Sequence, residues 1–172
     1  MQFRFLTAED APAYWDIRLE ALESEPHAFG SSPDEHRALS FAEVAERIAF
    51  DPINKFTVGA FLEARLVGTA GFYRDRSLKS RHKGHVWGVY VSRNFRRSGA
   101  GRNLLHMLLD HAAAIEGIEQ IMLSVATGQK AANTLYRSFG FAPYGCEQRA
   151  LKVGDRYIDE DHMVLFLPRS GK

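Results

Sequence analysis

The stretch Val89-Tyr-Val-Ser-Arg-Asn-Phe-Arg-Arg-Ser-Gly-Ala-Gly-Arg-Asn-Leu-Leu constrains this chain more than any other segment. It begins as a strand, passes through a loop with paired arginines and two glycines, and opens a helix. The helix reads from Gly101 to Ala114, with Leu104, Leu105, Leu108, Leu109 and Ala112 on one face. An apolar stripe of that kind faces a core, so the helix packs against another element of the fold. Backbone N–H groups at such a helix start have no partner within the helix, and the positive end of the helix dipole lies there too. Gly99 and Gly101 let the backbone approach a ligand closely and accept positive φ. Arg96, Arg97 and Arg102 add charges suited to phosphate oxygens. The expected ligand is a diphosphate-bearing cofactor.

Two nucleotide motifs are excluded by what is missing. A Walker loop requires Gly, four residues, then Gly-Lys-Ser/Thr, and no such string occurs. A dinucleotide fingerprint requires a third glycine at position 104, which is Leu104.

The rest of the chain supplies the sheet. Gln2 to Leu6, Phe56 to Leu62, Leu66 to Tyr73, His85 to Val91 and Ile118 to Val125 read as strands. Two final runs, Tyr144 to Val153 and Tyr157 to Leu167, flank Gly154-Asp155 as a closing hairpin. Thr7 with Asp10 and Ser40 with Glu43 are capping boxes that open two helices. Glu25 to Pro33 is turn-rich and ends the first of them. Lys130 to Phe139 forms the last helix, stopped by Gly140. The order β-α-α-β-β-β-α-β-α-β-β predicts an α/β (α+β) fold: a mixed parallel and antiparallel sheet of about seven strands with four helices. With 172 residues and no linker-like tract, residues 1–172 are expected to form one domain.

Charge is distributed unevenly along this frame. The net charge is +1, yet residues 1–63 hold five basic and twelve acidic residues, whereas residues 74–102 hold nine basic residues and only Asp75 against them. An acidic front and a basic middle imply a cationic and an anionic partner, with two solvated faces as the alternative. A single cysteine, Cys146, rules out an internal disulfide framework and a cysteine-rich zinc site. Apolar runs are far shorter than the roughly 20 residues of a membrane span, and the N-terminus lacks a signal-peptide pattern, so a cytoplasmic protein without membrane contact is expected.

Arg96-x-x-Gly99-x-Gly101 after a Val-Tyr-Val strand resembles the signature of the GNAT superfamily of N-acetyltransferases. About thirty residues on, Ala132-Asn133-Thr134-Leu135-Tyr136-Arg137-Ser138-Phe139-Gly140-Phe141 is similar to the family's Asn-x-x-Tyr helix and Gly-Phe exit. The order of elements is similar over nearly the whole chain. The resemblance implies the acyl-CoA N-acyltransferase fold and acetyl-CoA as co-substrate. It implies that the backbone of Val89, Tyr90 and Val91 pairs with the pantetheine arm. Arg96, Arg97, Ser98, Gly99, Ala100, Gly101 and Arg102 would hold the pyrophosphate. Asn133 would meet the cofactor arm, and Tyr136 would lie near the thioester sulfur. Positions 133 and 136 share one helix face.

The expected reaction is acetyl transfer to a primary amine of a small molecule or peptide by direct attack on the thioester. Cys146 lies outside the motif, so nothing marks an acyl-enzyme route. A backbone N–H near Val91 would stabilise the oxyanion. Tyr136 is the candidate catalytic acid for the departing thiolate, since a tyrosine hydroxyl is protonated at neutral pH. The strand before the signature has no Asp or Glu, which leaves His85 as the candidate base. Two other readings stand beside it: His85 as a surface residue ending the basic loop, and proton loss through a water chain.

No histidine pair has metal-ligand spacing, so no metal is expected. The basic loop Arg74 to Lys83 lacks aromatic residues for base stacking, which argues against nucleic acid. Glu23, Glu25, Asp34 and Glu35, with Asp159 to Asp161, would suit a cationic acceptor such as a polyamine or an aminoglycoside, with solvated helix faces as the alternative. A non-catalytic acyl-CoA sensor of the same fold is the competing function. The edge of the last hairpin can serve as a homodimer interface.

Overall fold

Seven strands join into one sheet in the computed structural model, which describes residues 1–168. They are β1 (Gln2–Phe5), β2 (Lys55–Leu62), β3 (Arg65–Arg74), β4 (Lys83–Val91), β5 (Gln120–Ala126), β6 (Ala142–Val153) and β7 (Arg156–Phe166). Their spatial order is β1-β2-β3-β4-β5-β7-β6, and β4–β5 is the parallel pair in an otherwise antiparallel sheet. The helices are α1 (Ala11–Ser24), α2 (Pro33–Arg37), α3 (Phe41–Ile48), α4 (Ala100–Ala114) and α5 (Lys130–Ser138). Residues 169–172 of the expected domain lie outside the described residues. Among the described residues no helix is long and apolar enough to cross a membrane.

The mixed sheet matches expectation, with five helices in place of four. The added one, α2, stands in the turn-rich segment. Ser32 caps it in a reciprocal box with Glu35, and Pro33 occupies its first turn, where a missing N–H costs nothing. Thr7 and Asp10 do form their box, but it closes a single short turn at Ala8–Asp10, and α1 starts only after it.

Each face of the sheet carries its own core. On one face α4 buries Leu104, Leu105 and Leu108 against Val58, Val67 and Phe72. On the other, α1 and α3 bring Tyr14, Ile17, Val44 and Ile48 against Leu6, Phe61 and Tyr90.

A bulge in β4 shapes what lies between. The β3–β4 ladder pairs Thr69 with Tyr90 and Gly71 with Trp87, so Ala70 alone faces both Gly88 and Val89. Gly88 takes φ +62°, and the Thr69 hydroxyl donates to its carbonyl oxygen at 3.2 Å. A Cβ on Gly71 would stand 2.4 Å from Cε2 of Trp87, so a glycine is required for the indole to lie there. Such a bulge bends and further twists its strand. Pairing of β4 with β5 stops early: only Lys83, Gly84 and His85 meet Gln120, Ile121 and Met122. From Val86 onward the two strands part.

Candidate functional site

The parting of β4 from β5 opens a cleft of about 580 Å³, walled by residues 86–91 of β4, the start of α4, residues 123–125 of β5 and one face of α5. Since β3 uses one edge of β4, alternate backbone N–H and C=O groups on its other edge point into this space. Val89, Tyr90 and Val91 all line it. The Tyr90 side chain turns toward α1, where its hydroxyl donates to Glu20 Oε1 at 2.9 Å and lies 3.0 Å from Ser24 Oγ. Burial, with the neighbouring Glu20 carboxylate, raises its pKa above the usual tyrosine value.

The basic end of the cleft is the loop before α4. Arg97 and Gly99 both adopt the left-handed backbone, at φ +63° and +84°. Ser98 Oγ donates to the Phe95 carbonyl at 2.7 Å and accepts weakly from the Ala100 amide at 3.4 Å. At Gly101, a Cβ would meet Leu135 Cδ2 at 3.4 Å and Val91 Cγ2 at 3.8 Å, ordinary contact distances that place the helix start between β4 and α5. Arg102 reaches across to Ser138 Oγ at 3.2 Å and lies over the Phe139 ring. Arg97 is exposed at the mouth.

Arg96 departs from the role expected for it. Its Nε donates to the Val91 carbonyl at 3.0 Å and its Nη2 to Glu25 Oε1 at 2.9 Å. Arg93 lies 3.8 Å from the same carboxylate. Arg96 therefore braces the loop against β4 and the acidic turn, whereas among the described residues neither Arg97 nor Arg102 is paired with a carboxylate. Glu23 and Asp34 are likewise engaged, both by Arg37.

Tyr136 on α5 lines the cleft from the α4 side, with its ring buried edge-to-face against Phe141 at 6.1 Å. Burial raises its pKa well above the usual tyrosine value, so the hydroxyl holds its proton at neutral pH. Asn133, expected to share the task, turns away. Its Nδ2 approaches the carbonyls of Ala126 and Gln129 at 3.4 and 3.5 Å, and Oδ1 is buried without a protein partner. Gln129 stands on the cleft wall instead. Of the two, Tyr136 lines the cleft, and the Asn133 amide lies against the loop that starts the helix.

His85 does not join the cleft. It sits on the paired part of β4, stacked on Tyr73 at 4.7 Å, with Nε2 3.1 Å from Asp75 Oδ1. The base role is withdrawn from it on that geometry. A different imidazole reaches the cleft wall. Ser124 on β5 lies opposite His162 on β7, and Ser124 Oγ is 2.8 Å from His162 Nδ1. The Nε2 atom of His162 lies 3.2 Å from Glu147 Oε2 on β6. The sequence offers no spacing signal for three residues on three strands. Arg18, on the buried face of α1, lies under the cleft floor with its guanidinium over Phe29 and Nη1 near Gly88. Its Nε and Nη1 have no protein partner, and burial lowers its pKa. Cys146 is exposed on β6 and is not part of the cleft wall. Among the described residues no group of three His, Cys, Asp or Glu side chains could hold a metal.

The arrangement fits an extended ligand that carries phosphate groups. A strand edge with free peptide groups suits an extended polar arm, and the glycine-opened helix start with Arg97 and Arg102 suits its phosphates. The comparisons agree. The sequence profile of the Acetyltransferase (GNAT) family matches residues 14–141. A mycothiol acetyltransferase of Streptomyces scabiei is 29% identical over 143 residues, covering 81% of this chain and 42% of that protein. The N-alpha-acetyltransferase RimI of Mycobacterium tuberculosis is 38% identical over 97 residues, covering 56% of this chain and 58% of its own. The chain thus matches well under two thirds of the length of either relative. In fold, it superposes on an acetyltransferase of the GNAT family from Streptococcus pneumoniae with a TM-score of 0.86 at 23% identity, covering 97% and 99% of the two chains. YncA of Salmonella typhimurium, a putative acetyltransferase structured with its cofactor acetyl-CoA, gives 0.81 at 21% identity, covering 100% of this chain and 96% of that one.

Proposed function

Since the chain belongs to the GNAT acetyltransferase family, we propose that it is an enzyme that transfers the acetyl group of acetyl-CoA directly to a primary amine. The observation that carries this reading is the open β4 edge, which ends at an arginine-flanked helix start and faces a buried, protonated tyrosine.

Acetyl-CoA supplies a thioester carbonyl for attack. The chain's own groups do the rest. Arg97, Arg102 and the first amides of α4 hold the phosphates; Ser98 and Gly99 set the loop, and Arg96 fixes it to Val91 and Glu25. The inward N–H groups near Val91 stabilise the charge that develops on the carbonyl oxygen. As the N–C bond forms and the C–S bond breaks, Tyr136 gives its proton to sulfur. The Glu20, Glu147 and Glu160 carboxylates on the α1 side favour an acceptor drawn in as a cation, and the relative named N-alpha-acetyltransferase is in keeping with a nitrogen acceptor.

Two measurements test the proposal in sequence. Acetyl-CoA should raise the melting temperature, and thiol release should appear with at least one amine from a panel of polyamines, aminoglycosides, amino acids and peptides. Stabilisation by acetyl-CoA with no thiol release across the panel would favour a sensor over an enzyme. No stabilisation would sink both.

A further inference from the structure

We propose that Ser124, His162 and Glu147 form the proton-accepting chain of the transfer, with the Ser124 hydroxyl as the group that meets the acceptor nitrogen. This rests on the acetyl-transfer reading above.

The placement follows from strand alternation. Ile121, Leu123 and Val125 of β5 point into the core beneath α4 and α5. Ser124 lies between them and so faces the opposite side, the one occupied by α1 and the Tyr90 side chain. It is exposed, and it stands in the cleft wall. Tyr136 belongs to the other face. A thioester held between β4 and β5 would therefore have a proton acceptor on one side and a proton donor on the other.

Hydrogen-bond direction is fixed by chemistry. A carboxylate only accepts, so in the neutral imidazole Nε2 carries the hydrogen toward Glu147 and Nδ1 is the acceptor. The Ser124 hydroxyl must then donate to Nδ1 across 2.8 Å, which leaves its oxygen lone pairs for a donor in the cleft. A proton arriving from an ammonium at Ser124 Oγ displaces the serine proton onto Nδ1. The resulting imidazolium is paired with Glu147. Over one cycle the ammonium nitrogen loses two protons: one replaces the proton Tyr136 gave to sulfur, and the other leaves through Ser124 and His162 to solvent.

The surroundings suit that task. From β6, Glu147 bonds the imidazole and the Tyr144 ring lies against it at 6.0 Å. From β5 it meets Ser124, and on β7 itself Glu160, two residues along the same face, adds a second carboxyl. Burial raises the Glu160 pKa above the usual carboxylate value. The His162 side chain is 29% exposed, enough to return its proton to water.

Kinetics over a pH series test the assignment, using the first amine that gives thiol release. His162→Gln should lower kcat/KM for the amine by about 10²-fold at neutral pH and remove the acid-side limb of its pH profile. Its KM for acetyl-CoA and its acetyl-CoA-induced thermal shift should stay unchanged. Ser124→Ala should show the same loss, whereas Ser124→Thr, which keeps the hydroxyl, should restore most of the rate. If the wild-type protein turns over and His162→Gln matches it within about threefold with the same pH profile, the chain is overturned while acetyl transfer stands. A wild-type protein that binds acetyl-CoA but acetylates no amine overturns the parent reading and this assignment with it.

Discussion

The two edges of β4 are built from the same nine residues and behave oppositely. Toward β3 the strand is paired along most of its length, with one bulge absorbed by Gly88. Toward β5 it is paired at three residues and then left open. The paired edge is a packing problem, solved by glycines that admit Trp87 and Phe72. The open edge leaves peptide groups that a sheet would normally consume facing the cleft. The difference teaches that the bulge is what couples the two: extra length and twist on one edge make the strand leave its partner on the other.

Changes on the open side should alter kinetics at constant stability, and changes on the paired side should do the reverse. Tyr136→Phe should give the largest effect, a fall in kcat of about 10²-fold, or about 2.7 kcal/mol, with little change in KM for acetyl-CoA. An unchanged kcat would remove the acid role. Gly71→Val should follow, lowering stability by about 1–3 kcal/mol because its side chain must displace the Trp87 indole. A urea titration reads this, and an unaltered midpoint would show that the indole is free to move. Arg102→Ala should raise KM for acetyl-CoA by up to about tenfold and weaken its salt dependence, at near-constant kcat. The smallest effect is expected on neither edge. Asp10 accepts two bonds from Arg4 at 2.7 Å and one from the Thr7 amide, and these hold its carboxyl below the usual carboxylate value. Its contribution is present above the ordinary carboxylate pKa and lost as pH falls through the lower folded value. Asp10→Asn should therefore lower the melting temperature slightly at neutral pH, with the deficit shrinking below about pH 4 and kcat/KM unaffected throughout.

What could be read in the sequence was local. The leucine stripe of α4, the continuous apolar runs of β2 and β3, and the glycine loop between β4 and α4 each carry their structure within one turn or one strand. Of the residues singled out in the sequence, Val89 to Val91, Arg96, Arg97, Gly99 to Arg102 and Tyr136 line one cleft, whereas Ser98 is tied back to Phe95 and Arg96 is bonded to Glu25, 71 positions earlier. What sequence could not show was long-range pairing. His85 had the right chemistry, but its position relative to the bulge decides whether it faces the cleft or Asp75. Asn133 was singled out by the Asn-x-x-Tyr resemblance, and the carbonyls of Ala126 and Gln129 at the helix start are what its side-chain amide approaches. Ser124 and His162 are 38 positions apart, and their contact exists only because β7 inserts between β5 and β6.

Arg97 stands in the left-handed region at φ +63°, a conformation that costs a side-chain-bearing residue about 1–2 kcal/mol. Arg96, bonded to Val91 and Glu25, and Ser98, bonded to the Phe95 carbonyl, hold the loop on either side of it, so the loop does not have to rearrange before association. Binding of the anionic carrier should then be a single-step encounter, with a rate linear in concentration and set by diffusion within the field of the arginines at the mouth. Raising the ionic strength should slow arrival far more than departure. The basic middle of a nearly neutral chain would thus be read as speed of capture.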